Sequence, residues 1–478
     1  MTIPMSSLSR TCSSAGRSVV FTRRVALYSR HVVPAGDRSS SRCRVPNGAG
    51  FTASSSSSGP IKGAKRSGGN KQVRMFSTGN DAAEVLHTPP SGASSKLHTV
   101  TLNRPKKLNS LSLNMIRLLE RLYGKRGAAG AIPGNSIVWM EGAGEKAFCA
   151  GGDVAALAEA LRRGDRTLGG EFFHSEYAVD YRIATQNAAA DAKDGSGGNI
   201  VTVSVWDKII MGGGVGLGFH NPIRIVTEKT TFAMPETKIG LFPDVGMTWG
   251  LSRLRNQDPL AIARFLGLVG FRLNAADCLN FGIGTHFVEQ KDLGLVKAHL
   301  DTFSGDANAD SVATHLETCG AVAKKGSSVV SVEPTLKEAD CSVISRCFGA
   351  SVDSVAGILG ALDAEGAGSF AAKIAATLRE MSPLSLQVSF AAIQRHHLEE
   401  TATLRSALQL EYRMAMNCLR PQPEADFAEG VAALLLDKRS AKWAHERVEQ
   451  VPSELVDTFF LPVSGETKLG PWAKELEI

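Results

Sequence analysis

Apolar and polar positions run through this chain in two rhythms. Val201, Val203 and Val205 alternate with Thr202 and Ser204, a period of two that predicts a strand. Val100–Leu102, Ile137–Met140 and Ile223–Val226 are short apolar runs that read as further strands. Between them the rhythm lengthens. Asp258-Pro259 supplies an N-cap followed by proline at the first helical position, and Ile262, Phe265, Leu266 and Val269 then form one helical stripe. Asn274 caps a second, shorter helix that stops near Gly282. Strands and helices alternate at short intervals to about residue 295, which predicts an α/β fold for residues 96–295. Helical patterning prevails over 296–478, most clearly after Ser382-Pro383 and across Thr401–Leu419. Ser, Thr, Gly and Pro crowd residues 77–95, a linker by composition, and residues 187–198 read as a flexible loop insertion. No internal repeat is visible. No run of 18 apolar residues occurs, so no membrane partner is expected.

Length and composition change this picture in one place. The 478 residues, 43% of them apolar, suffice for two or three domains at about 150 residues each. The net charge of +6 is uneven: residues 1–80 hold 13 Lys/Arg against the single acid Asp37, while the remainder holds 40 bases against 46 acids, a net of −6. A mildly acidic body argues against a phosphate-backbone binder, so no nucleic-acid partner is expected. The Arg- and Ser-rich, acid-poor residues 1–76 have the composition of a mitochondrial transit peptide, with Arg74-Met75-Phe76-Ser77-Thr78 resembling its processing site. That predicts a mitochondrial matrix protein. The eight cysteines show no Cys-x-x-Cys pair and no zinc spacing, so neither metal nor disulfide framework is expected.

Two glycine-bearing segments follow predicted strands: Ala150-Gly151-Gly152-Asp153 and Met211-Gly212-Gly213-Gly214. Glycines where a strand hands over to a helix let backbone N–H groups approach a ligand oxygen; taken alone, such glycines are more often plain turns. Neither a dinucleotide-binding Gly-x-Gly-x-x-Gly nor a P-loop is present, and no cofactor is implied. Glu236 and Asp244, eight apart, sit among Phe, Met and Pro. Desolvation there would raise their pKa values toward general acid/base use; a turn cap or a pair with Lys238 is the alternative.

Together, Leu102-Asn103-Arg104-Pro105, Leu108-Asn109-Ser110-Leu111, the Ala-Gly-Gly-Asp turn and the glycine triplet resemble the crotonase (enoyl-CoA hydratase/isomerase) superfamily. Phe232–Glu236, Gly240–Gly246 and Gly270-Phe271-Arg272-Leu273 narrow the resemblance to its 3-hydroxyisobutyryl-CoA hydrolase family. Met381-Ser382-Pro383, Glu411-Tyr412-Arg413, Asp426-Phe427 and Asp437-Lys438 with Lys442-Trp443 agree, over roughly residues 96–445. The resemblance implies a crotonase-like spiral of repeated ββα units followed by a mainly helical C-terminal region. It implies an acyl-CoA substrate whose thioester carbonyl sits between the N–H groups of Gly152 and Gly213. Glu236 and Asp244 match the family's catalytic acids, and Glu176 a substrate-binding glutamate. Substrate contacts then fall on Glu176, Gly213, Glu236 and Asp244.

The family's hydratases place one catalytic glutamate two residues beyond the triplet and a second twenty residues on; here these positions are Gly216 and Glu236. The implied reaction is therefore hydrolysis of a thioester in valine breakdown, with Glu236 either attacking the carbonyl or activating water. Another crotonase-type enzyme (hydratase, isomerase or other thioesterase) and a non-enzymatic component of the mitochondrial ribosome's small subunit are the alternatives. Trp206-Asp207-Lys208 departs from the family's usual His-Gly before the triplet, leaving Lys208 as a solvated lysine or a CoA phosphate contact. Self-association into a homo-oligomer stays open.

Overall fold

In this computed structural model the described residues are 74–75 and 83–478, except 126, 187–197, 325–326, 328–329 and 464–466. Nearly all of the leader and the loop insertion expected at 187–198 thus lie outside the described residues. Contacts divide the chain at Gly68/Gly69, and every described residue belongs to the second unit.

Two sheets organise the α/β part. The larger contains β1 (Arg74–Met75), β2 (Val85–Thr88), β3 (Leu97–Leu102), β4 (Ser136–Gly142), β6 (Ile200–Trp206), β8 (Ile223–Val226) and β10 (His286–Phe287), in the order β1-β2-β3-β4-β6-β8-β10. From β3 onward its pairs are parallel. The smaller contains β5 (Ala147–Cys149), β7 (Ile209–Met211) and β9 (Thr231–Ala233), also parallel. Each repeat therefore gives one strand to the large sheet and the next to the small one: β4 then β5, β6 then β7, β8 then β9. A parallel bridge between Leu111 and Gly152 extends the small-sheet pattern back to the β3 repeat.

Burial explains the large sheet. Ile137 and Trp139 of β4 face one apolar cluster, Val138 and Met140 the other. With both faces covered, β4 reads as a continuous apolar run. In β6 the polar positions of the alternation are buried too: Thr202 meets the Tyr123 hydroxyl at 3.2 Å, and Ser204 donates to the Gly218 carbonyl at 3.0 Å. One finding departs from expectation. Val85–Thr88, inside the stretch read as linker, is a strand antiparallel to β3, with Val85 and His87 buried. Four residues were too few to show through the surrounding turn formers.

Helices α1 (Leu113–Leu122), α2 (Val154–Arg162), α3 (Thr167–Gln186) and α4 (Gly213–Phe219) follow the successive strands. After α5 (Met247–Gly250) come α6 (Pro259–Val269) and α7 (Ala275–Phe281). Asp258 and Asn274 cap the last two, accepting from Ala261 N and Asp277 N, and Gly282 ends α7 at φ +77°. Then α8 (Leu293–Leu300), α9 (Ala309–Glu317), α10 (Glu338–Phe348), α11 (Val355–Ala364), α12 (Phe370–Glu380), α13 (Pro383–Leu398), α14 (Leu404–Cys418) and α15 (Phe427–Val431) dominate. Ser382 and Thr403 cap α13 and α14. Among the described residues no helix is long and apolar enough to cross a membrane.

Candidate active site

The site grows out of the small sheet. β5 and β7 are neighbours, so the turns after Cys149 and Met211 lie side by side. Gly151 (φ +104°) and Gly212 (φ +51°) take backbone conformations that L side chains rarely adopt. Each turn frees one amide. Gly213 opens α4, so its N–H has no intrahelical acceptor. Gly152 N–H has no backbone acceptor among the described residues, because it is the next amide, Asp153 N–H, that bonds the Leu111 carbonyl at 2.8 Å. A Cβ built on Gly213 would stand 3.3 Å from Gly152 N, so both amides border one small space. Arg104 clamps this turn, reaching Asp153 at 2.9 Å and Glu84 at 3.0 Å.

Glu236 enters from the third repeat, just past β9 and Met234-Pro235. It is buried, with Oε1 3.0 Å from the point where a Cβ on Gly212 would lie and Oε2 without a hydrogen-bond partner. Asp244 follows on a loop that is strained at Val245, a β-branched residue at φ +54° next to Gly246 at +81°. Several groups hold that loop. The Tyr177 hydroxyl donates to Asp244 Oδ2 at 2.8 Å, and His220 Nε2 meets the Val245 carbonyl at 2.8 Å. Glu411 of α14 accepts from the N–H of Gly246, and from the N–H and hydroxyl of Thr248. The same hydroxyl lies 2.9 Å from His396 Nδ1 of α13.

α3 brings two carboxyls one helical turn apart, Glu176 and Asp180. A Cβ on Gly213 would overlap Glu176 Oε1, and a Cβ on Gly216 would overlap Asp180 Oδ2 and crowd Val245 Cβ at 2.7 Å. The glycines of α4 thus form a furrow that seats both acids. Asp180 is wholly buried, with neither carboxyl oxygen hydrogen-bonded.

Glu176, Asp180, Glu236, Asp244 and Glu411 are five buried carboxyls, and Asp244 is in electrostatic reach of each of the other four. Burial is the main force raising each, and repulsion from Asp244 adds to it for the other four. Burial pushes Asp244 up to about 7, against the pull of the Tyr177 hydrogen bond. It pushes Glu411 up to about 8, against the bonds from Thr248 and Gly246.

All five residues expected at the site line one cavity of about 150 Å³: Gly152, Gly213, Glu176, Glu236 and Asp244, with Phe172 and Leu241 among its apolar walls. Lys238 is not the partner of Glu236; it is exposed at the rim. Asp180 and Tyr177 escaped the sequence reading as site residues, and Glu411 entered it only within a matched motif. Asp180 carried a usable signal, since position i+4 from Glu176 shares its helix face. Lys208 corrects the solvated reading: its side chain is 13% exposed and paired with Asp207 at 2.6 Å, at φ +75° where a glycine would be unstrained. Cys149 is buried beneath Gly214, and burial pushes its thiol up to about 12. Among the described residues no group of three or more His, Cys, Asp or Glu is arranged to hold a metal ion.

The family model described as Enoyl-CoA hydratase/isomerase matches residues 97–460, which span both sheets and the helical tail. The chain belongs to the enoyl-CoA hydratase/isomerase family. Within that family it is 38% identical to the mitochondrial 3-hydroxyisobutyryl-CoA hydrolase of Xenopus laevis, over 69% of this chain and 77% of the frog protein. It is 36% identical to 3-hydroxyisobutyryl-CoA hydrolase 1 of Arabidopsis thaliana, over 70% of this chain and 82% of the plant protein. Among solved structures of the family's fold, an enoyl-CoA hydratase from Rhodobacter sphaeroides superposes with a TM-score of 0.63 at 31% identity, covering 83% of this chain and all of the bacterial one. A carnitinyl-CoA dehydratase from Mycobacterium thermoresistibile gives the same TM-score at 29% identity, covering 81% and 99%.

Proposed function

We propose that this protein hydrolyses 3-hydroxyisobutyryl-CoA to 3-hydroxyisobutyrate and CoA, as a step of valine breakdown in the mitochondrial matrix. Relatives from frog and plant carry that activity in their names, the frog protein is named mitochondrial, and the acid-poor leader suits import. The observation that carries the choice of hydrolysis over hydration is the crowding at Gly216. A glutamate side chain there would have to displace Asp180 and Val245, so the hydratase pair of acids has no room to form.

In the proposed reaction the thioester oxygen takes the space between Gly152 N–H and Gly213 N–H, which stabilise the charge that develops on it. Glu236, ionised, attacks the carbonyl carbon or takes a proton from the water that does. The acyl C–S bond breaks, the departing CoA sulfur gains a proton, and the hydroxyl of water ends on the acyl carbon. Asp244, steadied by Tyr177, accepts a hydrogen bond from the substrate's 3-hydroxyl or from water. A site that binds this hydroxyl discriminates strongly against the acyl group lacking it.

The test is release of free thiol from 3-hydroxyisobutyryl-CoA by the purified protein and by its Glu236→Gln variant. Turnover by the first and a loss of about 10³-fold or more in the second is expected. Folded protein that releases no CoA would overturn the reading.

A further inference from the structure

Helix α3 roofs the cavity above the two amide turns. Phe172 and Glu176 lie one helical turn apart on it and share a face. A Cβ on Gly152 would stand 2.9 Å from Phe172 Cζ and 3.1 Å from its Cε1, and a Cβ on Gly213 would overlap Glu176 Oε1. A single turn of α3 thus covers both amides, with a phenyl ring over Gly152 and a carboxyl over Gly213. The side chain that Gly152 lacks leaves room for the ring as well as for a ligand oxygen at the amide.

The ring is fixed from behind. Phe172 is buried and stands edge-on to Phe173, with the centroids 5.7 Å apart and the planes at 87°. Phe173, also buried, packs in turn against Tyr177 of the same helix and Phe427 of α15, at 5.9 and 6.2 Å. Packing this close does not move aside for a ligand without cost. The opposite end of the cavity is different: Lys238 is exposed there and Leu434 is 39% exposed, so this end is the mouth.

On the hydrolase reading given above, the thioester oxygen lies between the two amides and the sulfur, with the rest of CoA, points to the mouth. The acyl group is then directed the other way, under α3. The whole cavity is about 150 Å³, below the roughly 300–1,000 Å³ of sites that enclose larger ligands. We infer that Phe172 is the residue that sets acyl length: its ring closes the acyl end of the cavity and confines the reaction to short acyl groups.

A length series tests this. The CoA thioesters of 3-hydroxybutanoate, 3-hydroxyhexanoate and 3-hydroxyoctanoate all keep the 3-hydroxyl, so only the chain changes. They are compared on the purified protein, on Phe172→Ala and on Phe172→Leu, which keeps a packed apolar side chain and serves if the alanine variant does not fold. Cleavage is followed by thiol release. Binding is followed by calorimetry on the same three proteins carrying Glu236→Gln, in which the thioester persists. The unsubstituted protein should lose about 10²-fold in kcat/KM and in affinity from butanoyl to hexanoyl. Phe172→Ala should raise both for the hexanoyl thioester by about tenfold or more, while losing on the butanoyl one, and Phe172→Leu should fall between. One length profile common to all three proteins, or an unsubstituted protein that takes octanoyl as well as butanoyl, would overturn the inference. Binding that follows the expected length order, with no thioester cleaved by any of the proteins, would keep Phe172 in this role and sink the hydrolase reading instead.

Discussion

The two walls of the cavity lined by Gly152, Gly213, Glu236 and Asp244 are held by different kinds of structure. The amide wall is local. Gly152 and Gly213 sit directly after adjacent short strands, and the glycines beside them set the turns. The acid wall is remote. Asp244 stands beside a strained Val245, and what fixes that loop comes from α3, α4, α13 and α14: Tyr177, His220, His396 and Glu411. A turn of successive glycines can adopt its conformation unaided. A β-branched residue in the left-handed region cannot, at a cost of about 1–3 kcal/mol that the surroundings must offset. The helical C-terminal region thus helps to hold the loop that carries Asp244, and on the proposed reaction it supports the catalytic apparatus.

That contrast can be pressed from either wall. Gly213→Ala attacks the local one. Its methyl would occupy the space between the two amides and push on Glu176 while leaving α4 helical. kcat should fall by about 10²–10³, with the thermal transition little changed, as measured by thiol release and calorimetry. A loss under fivefold would mean that the amides do not face the thioester oxygen.

Glu411→Gln attacks the remote wall. It replaces an acceptor of three hydrogen bonds, and unfolding stability at pH 6 should drop by about 2 kcal/mol in denaturant titrations. The pH dependence supplies a sign. Glu411 keeps its proton up to about pH 8 when folded against an ordinary 4.5, so its protonation adds stability that is lost as pH rises between those values. The deficit of the variant should therefore shrink from pH 6 toward pH 8. A constant deficit would mean that Glu411 is ionised throughout.

Tyr177→Phe is the mildest. The hydroxyl bonded to Asp244 lowers that carboxyl's pKa, so its removal should move the acid limb of kcat/KM upward from near pH 7. The rate at pH 7 should fall about fivefold, recovering at higher pH. An unmoved limb would separate Asp244 from the rate-determining ionisation.

The same divide governs what could be read in advance. β8, the caps at Asp258 and Asn274, and the glycine turns are written in neighbouring residues, and the structure has them where the sequence puts them. The three-residue strands β5, β7 and β9 were not legible, since three residues display no period. Glu236 and Asp244 stood out as acids in apolar surroundings. Glu411 was visible only as part of a resemblance, because nothing within the sequence around it points to a loop more than 160 residues away. The spacing of Asp180 from Glu176 marked its helix face, but its place in the room left by Gly216 is a contact between two elements that the sequence does not display.

Cys149 gains meaning from its place just outside the cavity. A thiol beside an activated thioester invites acyl exchange, which would strand the acyl group on the protein as a new thioester. Beneath Gly214, with its proton held to about pH 12, Cys149 is a poor nucleophile. The acyl group then leaves by water, and the protein should keep turning over in the presence of alkylating reagents that silence exposed thiols.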